Sequence, residues 1–145
     1  MPLHPQANAF LNIVNASNRI PLHTLGAAKA REVYAERPDN LAPPWVPVFN
    51  VKDHIIQQSN LSVPLRIYTP KESCVPLPIC IFYHGGGMVI GSLDGYDTLC
   101  RQICMQSKCI VVSVDYRLAP EHKFPAAIDD AYAAFLWIRQ HAKDF

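Results

Sequence analysis

The 145-residue sequence lacks any large excess of charge and any run of basic residues. Thirteen lysine and arginine side chains nearly balance 12 aspartate and glutamate side chains, so the formal net charge is +1. A balance of this kind creates no strong attraction to nucleic acid or to an anionic lipid surface. We therefore expect no nucleic-acid partner for this chain.

The sequence also lacks the patterns that are typical of membrane and secreted proteins. No stretch reaches the roughly 18 consecutive apolar residues of a transmembrane helix, so no transmembrane segment is expected. The first residues have neither the basic region nor the apolar region of a secretory signal. On these grounds we expect a cytoplasmic protein.

The five cysteines form no C-x-x-C pair, which is the usual sign of a redox motif or a zinc site. Cys100 and Cys104 lie one helical turn apart, and this spacing leaves a metal or redox pair open as an alternative. We favour the interpretation that the cysteines are small core residues, kept reduced in a cytosol. No metal and no cofactor are therefore expected.

Half of the residues are hydrophobic and 17% are charged, a composition typical of a globular protein. The apolar spacing predicts two amphipathic helices, over residues 5–17 and 22–36. In the first helix the apolar positions are Ala7, Phe10, Leu11 and Val14. Prolines between residues 37 and 47 prevent any helix from continuing. We infer a small helical N-terminal segment, a linker and a sheet-forming remainder.

Four strands are predicted in the remainder. Val48–Gln57 and Ser62–Tyr68 alternate in part between apolar and polar residues, and Ser59–Asn60 is a turn signal, so these segments predict an antiparallel pair. Pro78–Tyr83 and Cys109–Val114 are short apolar runs instead. Runs of this kind are typical of strands buried on both faces of a parallel sheet.

Two further helices are predicted, one between the apolar strands and one after them. They cover Tyr96–Ser107 and about Ala126–Lys143. Strand, helix, strand and helix in this order is the pattern of βαβ crossovers, in which helices cover a parallel sheet. The fold class expected from the sequence is therefore α/β.

Three successive glycines follow the first apolar strand directly, in the segment His84-Gly85-Gly86-Gly87. Glycine costs backbone entropy on folding, so a run of three indicates a place where backbone geometry matters. At the end of a parallel strand, such a loop can direct N–H groups into the crevice where α/β folds bind ligands. A flexible turn or a phosphate loop is the alternative, but neither G-x-G-x-x-G nor G-K-[ST] is present.

The glycine segment is followed by more motifs in a fixed order. These are Gly91-Ser92, the heptapeptide Asp115-Tyr116-Arg117-Leu118-Ala119-Pro120-Glu121, and Phe124-Pro125-Ala126-Ala127. With these motifs the sequence resembles the N-terminal portion of the hormone-sensitive-lipase-like carboxylesterase family of the α/β-hydrolase superfamily.

This resemblance implies the N-terminal part of an α/β-hydrolase fold, a mostly parallel sheet with flanking helices. It implies a helical cap segment over residues 1–40. Residues 41–145 are then the first half of the hydrolase domain, truncated before the strand that carries the nucleophile.

The resemblance also assigns roles to residues of this chain. The backbone N–H groups of Gly85 and Gly86 are expected to be oxyanion-hole donors, and Gly87 is expected to allow the close approach of the loop. His84 is expected to anchor the loop rather than to act as the catalytic base. Three charged residues are expected to form a hydrogen-bonded, ion-paired cluster that supports the glycine loop: Asp115, Arg117 and Glu121.

The sequence has no serine with glycine both two residues before it and two residues after it. The segment Gly91-Ser92-Leu93-Asp94-Gly95 comes nearest, but its spacing is G-S-x-x-G. The resemblance places the nucleophile, acid and base beyond Phe145. We therefore expect a serine carboxylesterase whose oxyanion loop this chain supplies, inactive alone unless it is complemented.

The expected substrate is a small ester, with an acyl group of short to medium length. Because the sheet would be left with an open strand edge, the expected partner is the C-terminal half as a separate chain, or a second copy through self-association. The alternatives are a non-catalytic small-molecule binding relative of the same fold and an inactive fragment.

Overall fold

The computed structural model describes residues 2–17, 20–36, 43–58 and 61–145. In these ranges the strands are β1 (Asn50–Gln58), β2 (Leu61–Thr69), β3 (Ile79–Tyr83) and β4 (Ile110–Val114). The α-helices are α1 (Pro5–Ala16), α2 (Ala27–Ala35), α3 (Asp97–Ser107) and α4 (Ala126–Gln140). The predicted boundary between residues 40 and 41 and the predicted turn at Ser59–Asn60 lie outside the described residues.

The strands form one sheet in the order β1-β2-β4-β3. β1 pairs with β2 antiparallel, β2 with β4 antiparallel, and β3 with β4 parallel. The predicted α/β class, the antiparallel pair and the parallel pair are thus confirmed. Over the described strands, however, the sheet is mixed rather than mostly parallel, because the β1–β2 hairpin joins β4 through antiparallel pairing.

Strand β4 is the centre of the fold, since all five of its residues are buried. Alternate side chains point to opposite faces of a strand, so β4 contributes to two cores. Val112 packs on one face with Ala134 and other residues of α4. Val111 packs on the other face with Cys100 and Cys104 of α3. The two helices therefore cover opposite faces of the sheet.

The prediction that the cysteines are core residues holds for three of the five. Cys100, Cys104 and Cys109 are buried, whereas Cys80 is half-buried and Cys74 is exposed. Burial raises the pKa of Cys100 and of Cys104 to about 11. Because only the thiolate reacts, these two core cysteines are chemically inert thiols at neutral pH.

The N-terminal helices differ from the expectation in two ways. The predicted helix over 22–36 is divided into a 3₁₀ turn, Leu22–Thr24, and helix α2, because Gly26 has the extended backbone of an N-cap residue. Helix α1 forms as predicted, but none of its residues is buried, so its predicted apolar face is exposed. None of the described helices is long and apolar enough to cross a membrane.

One edge of the sheet carries exposed apolar surface. Among the described strands, β3 pairs only with β4, so its second edge has no partner strand. Tyr83 at the end of β3 is 40% exposed, and the nearby helix α4 exposes three large side chains. These are Ile128, Tyr132 and Phe135. The open edge expected from the sequence is therefore present in the described part of the sheet.

An ion pair fixes helix α4 to the segment that follows β4. The carboxylate of Asp130 is fully buried and accepts a hydrogen bond from the backbone N–H of Arg117 at 2.8 Å. The guanidinium of Arg117 donates from Nε at 2.9 Å and from Nη2 at 2.7 Å to the same carboxylate. Such two-pronged, charge-assisted bonds are stronger than neutral ones.

We expect the substitution Asp130→Ala to lower the free energy of unfolding by about 2 kcal/mol, because it leaves the backbone N–H and guanidinium of Arg117 without their acceptor. Urea denaturation measures this loss. Asp129→Ala is the matched control, since Asp129 is the adjacent, exposed aspartate. Equal stabilities of the two variants would contradict the assignment.

Candidate active site

The loop after β3 has an unusual backbone. Gly86, Gly87 and Met88 have φ angles of 137°, 61° and 59°, in the left-handed region that favours glycine. The carbonyl oxygen of Gly86 accepts hydrogen bonds from Val89 N and Ile90 N, both at 3.1 Å. At Gly86 a Cβ atom would collide with the carbonyl oxygen of Ile90. The glycine at this position is therefore required by both conformation and space.

The N–H groups of this loop are available for a ligand. Within the described residues, the backbone N–H groups of Gly85, Gly86 and Gly87 have no hydrogen-bond partner in the chain. Gly85 and Gly87 are exposed, and Gly86 is half-buried. Three successive N–H donors at the carboxyl end of a parallel strand can bind an anionic or carbonyl oxygen.

The carbonyl groups of the same loop, by contrast, have partners. The hydroxyl of Tyr116 donates to the carbonyl oxygen of His84. The hydroxyl of Tyr96 donates to the carbonyl oxygen of Gly85 at 3.2 Å. His84 Nδ1 lies 3.0 Å from the same Gly85 oxygen. Because a carbonyl oxygen can only accept, this contact is a hydrogen bond when Nδ1 carries the ring proton.

His84 lies between two aromatic rings under the loop. Its side chain is buried and stacks against Tyr116 at a centroid distance of 4.4 Å and against Tyr96 at 5.5 Å. Its Nε2 atom has no hydrogen-bond partner among the described residues. A Cβ at Gly91 would collide with the imidazole ring. This enclosed position suits a side chain that anchors the loop.

The three charged residues expected to form one cluster have separate surroundings. Arg117 binds Asp130 of α4, as described above, and Glu121 binds Arg31 of α2. The half-buried Asp115 takes part in neither pair, and burial raises the pKa of its carboxyl group. Arg117 and Glu121 are therefore ion-paired, as expected, but with residues of helices α4 and α2 rather than with each other. Glu121 is linked through Arg31 to the carbonyl of Val89, just after the glycines, and the bracing role of the three residues stays a prediction.

Arg31 connects helix α2 to both segments around the site. Its Nε donates to the carbonyl oxygen of Val89 at 2.7 Å, and its Nη2 donates to that of Ala119 at 2.8 Å. Its Nη1 and Nη2 also bind the two carboxylate oxygens of Glu121, at 2.8 and 2.7 Å. The hydrogen bond from Arg31 lowers the pKa of Glu121 to about 2.

The sequence interpretation did not identify four of these residues: Arg31, Tyr96, Tyr116 and Asp130. Tyr116 lies inside the Asp115–Glu121 motif, which was a signal that could have identified it. Arg31 and Tyr96 make contacts 90 and 11 residues away in sequence. No local pattern encodes such contacts.

A cavity of about 790 Å³ lies elsewhere, beside Trp137 and His141. No residue of the glycine loop lines it. Its charged lining residues have both signs, Lys52 and Lys71 against Glu72 and Asp144, so it indicates no particular ligand. The loop after β3 remains the candidate active site on chemical grounds.

Fold and loop together define the class. Residues 80–145 match the model of a family described as alpha/beta hydrolase fold. The chain has the fold of an α/β hydrolase, and its sequence is similar to the N-terminal portions of esterases of that class. The resemblance inferred from the motifs is thus confirmed.

Individual relatives agree with this assignment. The chain is 51% identical over 82 residues to the carboxylic ester hydrolase LipN of Mycobacterium tuberculosis. This match covers 57% of the chain and 22% of LipN. It is 34% identical over 142 residues to an arylesterase of Saccharolobus solfataricus, which covers 98% of this chain and 46% of that protein. The chain therefore spans less than half the length of these relatives.

A solved structure shows the same arrangement. The ester-hydrolase EH1AB1 from the metagenome of Lake Arreo, complexed with a derivative of bipyridine phosphonate, superposes with a TM-score of 0.90 at 36% sequence identity. The match covers 99% of this chain and 47% of that structure.

We expect Gly86→Ala to destabilise the protein by about 1–3 kcal/mol, because the new Cβ forces a strained φ angle and a collision with a backbone oxygen. Gly26→Ala is the matched control, since its Cβ would meet nothing within 4 Å. Chemical denaturation of both variants measures the difference. A Gly86→Ala protein as stable as the control would contradict the described loop conformation.

The Arg31–Glu121 pair predicts a pH dependence. Because the pKa of Glu121 is lowered from 4.5 to about 2, the pair stabilises the fold above pH 4.5, and this contribution is lost as the pH falls toward 2. We expect Glu121→Gln to melt at a lower temperature than the wild type at pH 6, and the difference to disappear near pH 2. Glu72→Gln, at another exposed glutamate, is the control. A difference independent of pH would refute the assignment.

Proposed function

We propose that the protein acts as a serine-type carboxylic ester hydrolase, with this chain supplying the oxyanion-hole loop. The observation that carries the proposal is the row of three free N–H groups at Gly85, Gly86 and Gly87, whose neighbouring carbonyl groups are held on other contacts. The esterase relatives support the same chemistry.

In the proposed mechanism, the N–H groups of Gly85 and Gly86 bind the carbonyl oxygen of a carboxylic ester. A serine oxygen attacks the carbonyl carbon, and its proton passes to the general base. The electron pair of the C=O bond moves onto the oxygen that these N–H groups hold. The C=O bond then re-forms, the C–O bond to the alcohol breaks, and the leaving oxygen takes the proton from the base. Water hydrolyses the acyl-enzyme to the carboxylic acid and the free serine. Loss of one such donor typically costs about 2.7–4 kcal/mol of transition-state stabilisation.

Other residues have supporting roles in this proposal. Gly87 lets the loop approach the substrate closely, and the buried His84 anchors the loop. Arg117 and Glu121 hold the segment after β4 through their ion pairs. The exposed Met88 offers an apolar surface to the acyl group, which favours short-to-medium acyl esters.

The proposal also covers the catalytic triad, the activity of this chain alone, its division into segments and its localisation. The nucleophile lies outside this chain, since none of its serines has the G-x-S-x-G context, and the family resemblance places the acid and the base after the nucleophile. The chain by itself is then inactive, because binding and polarising a carbonyl group supplies only a small part of the rate enhancement. The division into a cap segment over residues 1–40 and a hydrolase segment over 41–145, and a cytoplasmic localisation, also stay predictions.

A non-catalytic binding protein is the second candidate. The same N–H groups can bind a carbonyl or anionic ligand without any reaction, and a replaced serine or histidine in a downstream segment would favour this candidate.

The test is the intact mass of the purified protein before and after reaction with a fluorophosphonate ester, which modifies activated serines. We expect the 145-residue chain to gain no adduct, and a second polypeptide, where one is present, to gain one adduct together with esterase activity. An adduct on the 145-residue chain would overturn the placement of the nucleophile. Ligand binding without any adduct or ester hydrolysis would favour the binding protein.

A further inference from the structure

The three N–H donors of the loop belong to three separate peptide groups, and each group has its carbonyl held by a different contact. Every peptide bond in this loop is trans, since the cis bonds found in the described residues are Ala119-Pro120 and Phe124-Pro125. In a planar trans peptide the C=O and N–H bonds point in opposite directions. A contact that holds a carbonyl oxygen therefore also orients the N–H of the next residue.

Each of the three N–H groups is therefore oriented by a different contact. The N–H of Gly85 is oriented by the bond from Tyr116 to the carbonyl of His84. The N–H of Gly87 is oriented by the turn in which the carbonyl of Gly86 accepts two backbone N–H groups. The N–H of Gly86, between them, depends on what holds the carbonyl of Gly85.

The carbonyl of Gly85 is held by Tyr96, and Tyr96 is in turn linked to helix α2. Tyr96 donates its hydroxyl proton to the Gly85 oxygen at 3.2 Å. The hydroxyl of Tyr34 lies 3.0 Å from the hydroxyl of Tyr96. Either hydroxyl can donate in this pair. When Tyr96 gives its single hydroxyl proton to Gly85, Tyr34 is the donor. A Cβ on Gly85 would lie only 3.3 Å from the Tyr96 oxygen, so the two residues are in close contact.

We infer that Tyr96 is a positioning residue for the Gly86 donor, and that Tyr34 links this positioning to helix α2. Tyr96 does not touch the substrate; it directs the Gly86 N–H by holding the other side of the peptide. His84 Nδ1 shares the same carbonyl, so removal of the Tyr96 hydroxyl weakens the support without abolishing it. The inference rests on the proposed function for its catalytic meaning, but the orientation itself is a property of the chain.

The experiment uses the full 145-residue chain labelled with ¹⁵N-glycine, whose six glycines give six assignable amide signals. The readout is the N–H order parameter of Gly85, Gly86 and Gly87 in the wild type and in three variants. The variants are Tyr96→Phe, Tyr34→Phe and the control Tyr132→Phe, at an exposed tyrosine of α4. Phenylalanine keeps the ring that stacks on His84 and removes only the hydroxyl group.

We expect Tyr96→Phe to lower the order parameter of Gly86 from the rigid value of about 0.85 toward the flexible range below about 0.6. Gly85 and Gly87 keep their values, because other contacts hold their peptides. Tyr34→Phe gives a smaller change in the same direction, and Tyr132→Phe gives none. A merely structural role of Tyr96 would instead lower all three values together.

An unchanged Gly86 signal in Tyr96→Phe, or an equal loss at all three glycines, overturns the inference. Neither result depends on a nucleophile or an ester, so failure of the proposed function, seen with the fluorophosphonate probe, is distinguishable from failure of this inference.

Discussion

Burial of strand β4 is the constraint on which the rest of the structure depends. β4 pairs with β2 on one edge and with β3 on the other, and helices α3 and α4 cover its two faces. Because β3 and β4 run parallel, their carboxyl ends lie at the same edge of the sheet. This places the glycine loop after β3 beside Tyr116, which follows β4 by two residues. The support of the loop is thus a direct consequence of the parallel pairing.

The glycine loop combines N–H groups that lack a partner in the described chain with carbonyl groups that have one. Buried backbone groups normally need hydrogen-bond partners, and a row of free N–H groups is costly unless solvent or a ligand reaches it. Here the carbonyl groups face inward, to Tyr116, Tyr96 and the turn at Gly86, while the N–H groups stay accessible. Such an arrangement is pre-organised, because the donors need no reorientation to bind an electronegative oxygen.

The sequence predicted the parts of the fold that have a local signal. Apolar runs identified β3 and β4, and three successive glycines identified the loop. The expected burial on both faces is found in β4 but not in β3, whose first four residues are half-buried and whose last is exposed. The contacts that hold the loop had no such signal, because Arg31 binds Val89 and Glu121 across 58 and 90 residues of chain. The apolar spacing of α1 correctly predicted a helix. It could not predict burial, because burial depends on a neighbour that periodicity does not specify.

Polar contacts fix how helix α2 is attached to the rest of the fold. Ala30 of α2 is buried, and Ala27, Arg31, Val33 and Tyr34 are half-buried. Two of its side chains form hydrogen bonds to the rest of the fold: Arg31 to the carbonyl of Val89, and Tyr34 to the hydroxyl of Tyr96. Hydrogen bonds are directional and hydrophobic contacts are not, so this attachment fixes the orientation of α2 as well as its position. The helix and the glycine loop therefore form one geometric unit, in which the position of α2 and the direction of the Gly86 N–H depend on the same few bonds.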